Sequence, residues 1–555
     1  MDTDYAGSGD DHATERLSYR RGPDSPALPE ETIGGNLARI AAAYPELDAL
    51  VEFATGRRWT YREFDAAVSD LARALVAAGV AKGDRVGVWS PNCAEWVLVQ
   101  YATARVGGIL VNLNPAYRDH EIRFALKQSG TSLLFTATQV KSSDYVAMVD
   151  AVRPDCPELR EVVSFGTPGW TAFVERGADV AAETLAEREA ALSPEDPIDI
   201  QYTSGTTGFP KGATLSHRNV LGNGFQVAEI QGWAPGDRVC LPVPLYHCFG
   251  MVMGNLGATS HGACMVLPGP LFDPADTLAA VSQERCTVLY GVPTMFIAEL
   301  ALLEKAGDKY DLGSLRTGVM AGSPCPVEVM KRVIAEMGMA EVTICYGMTE
   351  TSPVSTQTRR DDSLERRVAT VGRVHPHVEI KVVDPDSGET VPADTPGELC
   401  TRGYSVMLGY WNEPERTAEA VDADGWMHTG DLAQMDADGY VSIVGRIKDM
   451  VIRGGENVYP REVEEFLYAH PDIEDVQVIG VPDERYGEEL MAWIRMRPGA
   501  EPLTAEAVRD FCHGRLAHYK IPKYVHLVDG FPMTVTGKVR KVEMRDQAAR
   551  ILGLE

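Results

Sequence analysis

Short apolar segments with strand character alternate with amphipathic helical segments through most of this chain. RVGVWS (85–90) indicates a strand, NCAEWVLVQYATARVG (92–107) has helical spacing, and GILVNLN (108–114) is again strand-like. TVLYGVP (287–293) followed by TMFIAELALLEK (294–305) repeats the pattern. Such alternation is typical of α/β units built around largely parallel sheets. The sequence therefore predicts an α/β fold.

Two later regions have a different pattern of predicted secondary structure. From roughly residue 375 to 447, VEIKVVD, GELCTRG and GYVSIVGR are short strands separated by turns, which predicts an antiparallel, barrel-like insert. The segment after GRIKD (445–449) mixes helices and strands and predicts a small α+β domain. Within it, Pro460 suits the first turn of a helix and Thr504 suits an N-cap.

The length of the chain requires more than one core. It has 555 residues, whereas single hydrophobic cores stop growing at roughly 250–300 residues. We therefore expect a flexible N-terminal tail at 1–30, an N-terminal domain at 31–447 and a C-terminal domain at 448–555.

Composition limits the partners and the compartment. The formal net charge of −28 argues against non-specific binding to nucleic acid or anionic membranes. The ten cysteines include no C-x-x-C, which argues against a structural zinc site and favours reduced, buried thiols. The acidic N-terminus lacks the apolar core of a secretory signal, and Gln100 and Arg105 interrupt the most apolar long segment, Val97 to Leu113. We expect a cytoplasmic protein without integral membrane association.

The stretch YTSGTTGFPKG, Tyr202 to Gly212, has the composition of a phosphate-binding loop. It is not the G-x-x-x-x-G-K-[ST] loop, because Pro210 stands where the second glycine would fall. Strand-like DIQY precedes it, strand-like ATL follows it, and Ser216 is a candidate N-cap for the next helix. Phosphate binding would depend on backbone N–H groups, hydroxyls and a lysine rather than on a helix end. The candidate residues are Thr203, Ser204, Gly205, Thr206, Thr207, Gly208 and Lys211. An ordinary turn explains this composition equally well.

Six motifs that occur in a fixed order along the chain favour the phosphate-binding loop over an ordinary turn. They are YTSGTTGFPKGATLSH, YGMTE (346–350), TGD (429–431), GRIKD (445–449), GGENVYP (454–460) and TGK (536–538). From about residue 31 to its end the chain resembles the adenylate-forming enzymes, which include acyl-CoA synthetases, firefly-type luciferases and the adenylation domains of peptide synthetases. PLYHCFG (244–250), LYGVPTMF (289–296) and RGYSVMLGYWNEPERT (402–417) resemble medium-chain fatty-acyl-CoA synthetases in particular. The resemblance implies a large N-terminal domain of two doubly wound α/β subdomains plus a distorted β-barrel, with a small mobile α+β C-terminal domain.

The resemblance also implies a reaction in two steps. A carboxylate first attacks the α-phosphate of ATP, giving acyl-AMP and pyrophosphate. Because two anions meet, positive charge is needed, and Lys538 would bridge them. Glu350, helped by Thr206, would hold Mg²⁺. Without the other motifs, Lys538 would be interpreted as a solvated surface lysine.

The nucleotide itself would be held by the remaining motifs. Tyr346 would stack on adenine opposite the backbone of AGSP (321–324), Asp431 would accept hydrogen bonds from both ribose hydroxyls, and Arg446 would contact ribose or phosphates. Each has a plain structural alternative: a core tyrosine, a turn aspartate, a surface ion pair. Besides the phosphate loop and Lys538, the implied nucleotide-binding residues are Gly322, Ser323, Pro324, Tyr346, Gly347, Met348, Thr349, Asp431 and Arg446.

In the second step the thiol of CoA attacks acyl-AMP after pyrophosphate has left. Similar enzymes rotate the small domain for this step, and Lys448 matches the hinge position. The rotation would exchange Lys538 for the GGEN loop, in which Gly454, Gly455, Glu456 and Asn457 would bind CoA. His247 would line or gate the acyl entrance and completes the candidate catalytic set with Lys538 and Glu350. A packing role for His247 remains an equal alternative.

The sequence therefore predicts a Mg²⁺- and ATP-dependent fatty acid:CoA ligase, of medium chain length, with CoA as cosubstrate; whether it forms a homodimer is left open. Ligases for aryl or other carboxylic acids, and acyl-AMP ligases that load a carrier protein, remain alternatives. A catalytically dead binding protein is disfavoured because Lys538 and Glu350 are both present. A phosphate-loop NTPase is disfavoured by Pro210, and no motif selects luciferase chemistry.

Overall fold

The computed structural model describes residues 16–203, 210–323, 325–454, 456–533 and 539–553. The strands, in chain order, are β1 (Tyr19–Arg21), β2 (Asp48–Glu52), β3 (Arg57–Thr60), β4 (Arg85–Trp89), β5 (Ile109–Asn112), β6 (Leu133–Thr136), β7 (Gln139–Val140), β8 (Ser143–Asp144), β9 (Glu161–Ser164), β10 (Pro197–Thr203), β11 (Lys211–Ser216), β12 (Arg238–Cys240), β13 (Cys264–Leu267), β14 (Val288–Gly291), β15 (Thr317–Ala321), β16 (Glu341–Gly347), β17 (Val354–Gln357), β18 (Arg373–Val374), β19 (Val378–Val383), β20 (Gly397–Gly403), β21 (Gly409–Tyr410), β22 (Met427–Met435), β23 (Val441–Arg446), β24 (Val451–Arg453), β25 (Glu456–Val458), β26 (Ile473–Asp483), β27 (Gly487–Met496) and β28 (Tyr524–Leu527).

The α-helices, in chain order, are α1 (Ile33–Ala43), α2 (Tyr61–Ala77), α3 (Ala94–Val106), α4 (Asp119–Ser129), α5 (Tyr145–Val152), α6 (Pro168–Glu175), α7 (Ala182–Ala190), α8 (His217–Ile230), α9 (Gly257–His261), α10 (Pro274–Glu284), α11 (Pro293–Ala306), α12 (Val327–Glu336), α13 (Leu364–Ala369), α14 (Pro414–Ala420), α15 (Pro460–Tyr468), α16 (Ala505–Cys512) and α17 (Lys541–Leu552). A π-helix spans Phe249–Leu256, and short 3₁₀ helices include Thr349–Thr351 and Ile447–Asp449.

Two largely parallel sheets confirm the predicted α/β architecture. One has seven strands in the order β21-β11-β10-β5-β4-β6-β9, and the other has nine in the order β18-β17-β16-β15-β14-β12-β13-β2-β3. Strands β14, β15 and β16 are adjacent and parallel. Their carboxyl ends therefore meet at one edge, which is where ligands bind in open α/β sheets.

Helix α3 accounts for the most apolar stretch of the sequence. All of its residues are buried, because it packs among α1, α2, α7 and strands of both sheets. Its one basic residue, Arg105, is paired with Asp65 and Glu189. The interpretation of this stretch as a core element is confirmed. Within the described ranges, no helix has the length and apolarity needed to cross a membrane.

The predicted barrel-like insert is a five-stranded antiparallel sheet, β1-β19-β20-β22-β23. Its edge strand β1 comes from the region that the sequence suggested as a flexible tail. Tyr19 pairs with Lys381, and the Ser18 N–H donates to Val391 O at 2.8 Å. Residues 17–22 therefore differ from that expectation, since they pair with the sheet. Residues 1–15 lie outside the described part.

The C-terminal region has a sheet of its own, in the order β25-β24-β27-β26 with β28 parallel to β27. Pro460 occupies the first turn of α15, and the Thr504 hydroxyl accepts from Ala507 N at 3.1 Å at the start of α16, as predicted. The 3₁₀ helix Ile447–Asp449 precedes the sheet and contains Lys448. The domain boundary at 447/448 stays a prediction.

The cysteines are packing residues. All ten are free, and every one except the half-buried Cys93 is buried. Burial raises the pKa of the Cys93 thiol to about 12 and that of Cys512 to about 11, which makes both poor nucleophiles. The prediction of buried thiols is confirmed for nine of the ten cysteines, and their reduced state stays a prediction.

Candidate active site

The ends of β10 and β11 hold the phosphate-loop sequence. The two strands are antiparallel, and Thr203 and Lys211 are the register pair at the mouth of the loop. Helix α8 begins only after β11, with the Ser216 hydroxyl accepting from Asn219 N at 3.2 Å. The predicted strand–loop–strand arrangement and the N-cap are confirmed. Ser204, Gly205, Thr206, Thr207 and Gly208 lie outside the described residues.

A second group of predicted residues lies at the carboxyl ends of β15 and β16. Gly322, with φ +91°, follows β15, and a Cβ there would lie 3.2 Å from Val292 Cγ1. Ser323 comes next, and Pro324 is outside the described residues. Strand β16 ends in Tyr346 and Gly347. Met348 then leads into the 3₁₀ helix of Thr349 and Glu350. The motifs AGSP and YGMTE thus both lie at the carboxyl ends of β15 and β16, the edge at which nucleotides bind in open α/β sheets.

Glu350 is the buried carboxylate of this edge, with 5% of its surface exposed. The Tyr410 hydroxyl donates to Glu350 Oε1 at 2.8 Å, and the Thr203 hydroxyl lies 3.5 Å from the same oxygen. The Lys211 ammonium lies over the Tyr410 ring, 4.7 Å from its centroid. Burial, with the Glu350 carboxylate second, raises the pKa of Tyr410, so its hydroxyl stays a donor. The structure thus brings Thr203, Lys211 and Glu350 together.

Asp431 is held on both oxygens. The Tyr346 hydroxyl donates to Oδ2 at 2.8 Å, and Arg446 Nε donates to Oδ1 at 3.0 Å. Asp431 and Arg446 are a register pair on β22 and β23. Burial of the phenol and the neighbouring Asp431 carboxylate raise the pKa of Tyr346. Three predicted nucleotide-binding residues, distant in sequence, therefore form one connected group.

A supporting network fixes the turn before Asp431. Gly430 has φ +68°, and its N–H donates to Glu398 Oε1 at 2.9 Å. Glu398 Oε2 lies 2.9 Å from His428 Nδ1, and Cys400 Sγ lies 3.5 Å from that nitrogen. Donor atoms of Glu398, Cys400 and His428 lie within 4.8 Å of one another, a spacing that could hold a metal ion. Because they already bond one another and Gly430, we assign them to the support of Asp431.

His247 precedes the π-helix Phe249–Leu256 and is half-buried. Its Nδ1 accepts from Phe249 N at 3.2 Å. Phe249, Met251 and Met253 belong to the main hydrophobic core. π-helical turns are frequent at functional sites. The role of His247 at the acyl entrance nevertheless stays a prediction, because its contacts serve packing equally well.

The motif predicted to bind CoA begins between β24 and β25. Gly454 has φ +62°, its N–H donates to Tyr486 O at 2.8 Å, and a Cβ there would lie 3.1 Å from the Tyr486 ring. Behind it, Arg453 makes a bidentate ion pair with Glu489, with two N–O distances of 2.7 Å. Glu456 and Asn457 are exposed in β25, whereas Gly455 and Lys538 lie outside the described residues.

Sequence reasoning missed Tyr410 and the Arg453–Glu489 pair. Tyr410 lies within the quoted segment RGYSVMLGYWNEPERT, but its partner Glu350 is 60 residues away. Arg453 directly precedes the recognised glycine pair. A basic residue immediately before a glycine turn is the one signal that could have been used. The glutamate that neutralises it has no motif.

Comparison with known proteins identifies the family. A model described as AMP-binding enzyme matches residues 37–411, and one described as AMP-binding enzyme C-terminal domain matches 462–538. The chain is 46% identical over 546 residues to YngI of Bacillus subtilis (strain 168), whose name provisionally assigns it to the acyl-CoA synthetases, with 95% of this chain and 99% of that protein covered. It is 43% identical over 561 residues to the mitochondrial medium-chain acyl-CoA ligase ACSF2 of Danio rerio, with 98% and 92% covered. The anthranilate CoA ligase AuaEII in complex with anthranoyl-AMP has a TM-score of 0.83 at 28% identity, with 94% and 98% covered.

The chain therefore belongs to the AMP-binding, adenylate-forming enzymes. Within that family, one of the relatives given above is provisionally named an acyl-CoA synthetase and another is named a medium-chain acyl-CoA ligase. The family assigned from the six motifs is confirmed, as is the mixed α/β fold with a large N-terminal and a small C-terminal part.

Proposed function

We propose that this protein is an AMP-forming acyl-CoA synthetase that joins a medium-chain fatty acid to CoA through an acyl-adenylate. One observation carries the proposal: the buried Glu350 carboxylate lies 3.5 Å from the Thr203 hydroxyl at one end of the phosphate-loop hairpin, and Lys211 at the other end lies over the ring of Tyr410, whose hydroxyl donates to the same carboxylate. A buried carboxylate, a lysine and a hydroxyl-rich loop at the carboxyl edge of a parallel sheet suit a metal–triphosphate complex. The names of the relatives support the acid:CoA chemistry.

The donor set around Glu350 fits Mg²⁺. Among the described residues, the hydroxyls of Tyr410 and Thr203 both approach Oε1, so Oε2 is the oxygen left for a hard cation. Glu350, with Thr206 as the predicted second ligand, would hold the ion. When bound, the ion would neutralise part of the charge of the phosphates.

The first step would use the charged side chains of Lys211, Glu350 and Asp431. Lys211 would bind the β- and γ-phosphates through a charge-assisted contact. The two oxygens of Asp431 would accept the ribose hydroxyls, in the position now fixed by Tyr346 and Arg446. Lys538 would join the attacking carboxylate to the α-phosphate. Pyrophosphate would then leave before CoA arrives.

The second step would use the C-terminal region. We propose that it rotates about Lys448, which is exposed in the 3₁₀ helix Ile447–Asp449. The turn at Gly454 would then face the acyl-adenylate, and its lack of a side chain would admit the pantetheine arm of CoA. A cytoplasmic location and a homodimer stay predictions.

A panel of acids tests the proposal. ATP–pyrophosphate exchange and CoA thioester formation would be measured with straight-chain acids from acetate to palmitate and with benzoate and anthranilate. We expect the highest kcat/KM with medium-chain acids. Preference for an aromatic acid would favour the aryl-acid alternative, which the likeness to an anthranilate CoA ligase motivates. Exchange without CoA thioester formation would favour a carrier-protein acceptor. No exchange with any acid would overturn the ligase assignment.

A further inference from the structure

Tyr410 contacts two charged groups of the nucleotide side at once. Its hydroxyl donates to Glu350 Oε1 at 2.8 Å, while the Lys211 ammonium lies 4.7 Å from the centroid of its ring. Tyr410 and Glu350 are both 5% exposed, so their hydrogen bond is shielded from bulk water, and Lys211 is half-buried. We propose that Tyr410 is a positioning residue for adenylation: it orients the Glu350 carboxylate and keeps Lys211 from pairing with it. The inference rests on the proposed roles of Glu350 and Lys211.

The backbone of the Tyr410 segment is fixed against the loop hairpin. Strand β21 is antiparallel to β11, with Tyr410 opposite Ala213. The Trp411 N–H donates to Gly212 O at 2.7 Å, and the Leu408 N–H donates to Thr214 O at 2.9 Å. Tyr410 is therefore fixed, through β21, to strand β11, which begins at Lys211. Any movement of this hairpin relative to Glu350 changes the contacts of Tyr410.

The side-chain chemistry explains why a tyrosine suits this place. A buried carboxylate beside a lysine would ordinarily attract the ammonium directly, because opposite charges interact strongly away from water. Such a pair would occupy the oxygen meant for the metal and the cation meant for phosphate. The phenol disfavours this pairing because the negative face of its ring holds the ammonium, while its hydroxyl fixes the carboxylate through Oε1 and leaves Oε2 for the metal.

The two contacts differ in how readily they are given up. A cation–π contact is weak beside a charge-assisted contact with phosphate, so Lys211 can leave the ring when ATP arrives. The hydroxyl–carboxylate hydrogen bond does not involve the ligand and can persist. Tyr410 would thus hold Glu350 throughout the first step while releasing Lys211 to the triphosphate. Phenylalanine would keep the ring and lose only the hydroxyl, which separates the two functions.

The test compares the half-reactions in the full-length protein. For Tyr410→Phe we expect the Mg²⁺ concentration at half-maximal ATP–pyrophosphate exchange to rise about 10-fold or more, as for other residues that support a metal ligand. Thioester formation from supplied acyl-AMP and CoA should be unchanged, because that step involves no triphosphate and no metal held by Glu350. Mn²⁺ binding in the presence of α,β-methylene-ATP, followed by EPR, should weaken by a similar factor. Tyr410→Leu should raise the KM for ATP by a further ~3-fold, because the ring contact is lost too.

Two controls decide between positioning and general damage. Tyr404→Phe removes a hydroxyl from the same connecting segment, where the ring packs on Gly222 of α8, and should change none of these values. In a Glu350→Gln background, Tyr410→Phe should cost at most about 2-fold, because a residue acting through Glu350 has little left to position. Full additivity, equal loss in both half-reactions, or unchanged Mg²⁺ and Mn²⁺ dependence would overturn the inference. If the wild-type protein itself shows no exchange with any acid, it is the proposed function that fails instead.

Discussion

The nucleotide side and the Gly454 turn are stabilised in different ways. On the nucleotide side, each carboxylate is held by donors from separate elements: Tyr410 and Thr203 at Glu350, Tyr346 and Arg446 at Asp431. The Gly454 turn is backed by one ion pair, Arg453–Glu489, whose side chains are 10% and 1% exposed. On the nucleotide side, several hydrogen bonds share the support of each carboxylate, whereas behind the turn the support comes from one buried ion pair.

That difference suits the two proposed steps. A nucleotide site that must align a metal, a triphosphate and a carboxylate benefits from several independent donors, because preorganised dipoles need no rearrangement during reaction. A turn that only has to present a bare backbone needs one firm anchor. We therefore expect single substitutions to affect stability most behind the turn and affinity most on the nucleotide side.

Arg453→Met should have the largest effect. It leaves Glu489 buried without a counter-charge, and breaking a buried pair in this way costs about 3 kcal/mol or more. Urea unfolding should show the loss in the transition that reports the C-terminal region, and the KM for CoA should rise. The double variant Arg453→Met/Glu489→Leu should recover most of the stability, because no charge is then stranded.

Arg485→Met is the matched control for that variant. Arg453 also lies over the Tyr486 ring, 4.7 Å from its centroid; Arg485 lies over the same ring at 5.0 Å but is exposed. It should leave both stability and CoA affinity nearly unchanged. If Arg485→Met lowered the free energy of unfolding as much as Arg453→Met does, the contact with the Tyr486 ring, and not the buried ion pair, would anchor the turn.

Glu299→Met tests whether a buried carboxylate needs donors. Glu299 lies on the buried face of α11, both of its oxygens are buried without a hydrogen-bond partner in the described structure, and burial raises its pKa well above the usual range. Above the unfolded-state pKa of about 4.3, only the unfolded chain releases this proton, so stability falls as pH rises. The methionine variant should therefore be more stable by about 2 kcal/mol at pH 7.

The gain should shrink as the pH falls toward 4, where the unfolded glutamate is protonated as well. Glu304→Met, on the same helix but on an exposed ion pair with Arg332, should give little change at either pH. Thermal unfolding across this pH range measures both variants. A gain for Glu299→Met that did not vary with pH would mean that the pKa of the folded carboxyl is not raised above that of the unfolded chain.

The sequence predicted the elements and the motif residues but not what supports them. Alternating apolar segments predicted β4, α3 and β5 because the periodicity of buried residues is local. Glu350, Asp431 and Arg446 were found because each lies inside a recognisable motif. Tyr410, Glu398 and Glu489 were missed, since each acts on a residue that only the fold brings near. The strand β1 was missed for the same reason: its pairing partner follows more than 350 residues later.

Glu398→Leu should have the smallest effect on free energy of these substitutions. It tests whether Asp431 is held by several independent supports. It removes the acceptor for Gly430 N–H and loosens the turn before Asp431, while Tyr346 and Arg446 still hold that carboxylate. We expect the KM for ATP to rise about 10-fold, or ~1.4 kcal/mol, with kcat little changed. Glu398→Gln keeps an acceptor oxygen and should recover most of the loss. A collapse in kcat as severe as that of Glu350→Gln would show that Asp431 depends on one support after all, as the Gly454 turn does.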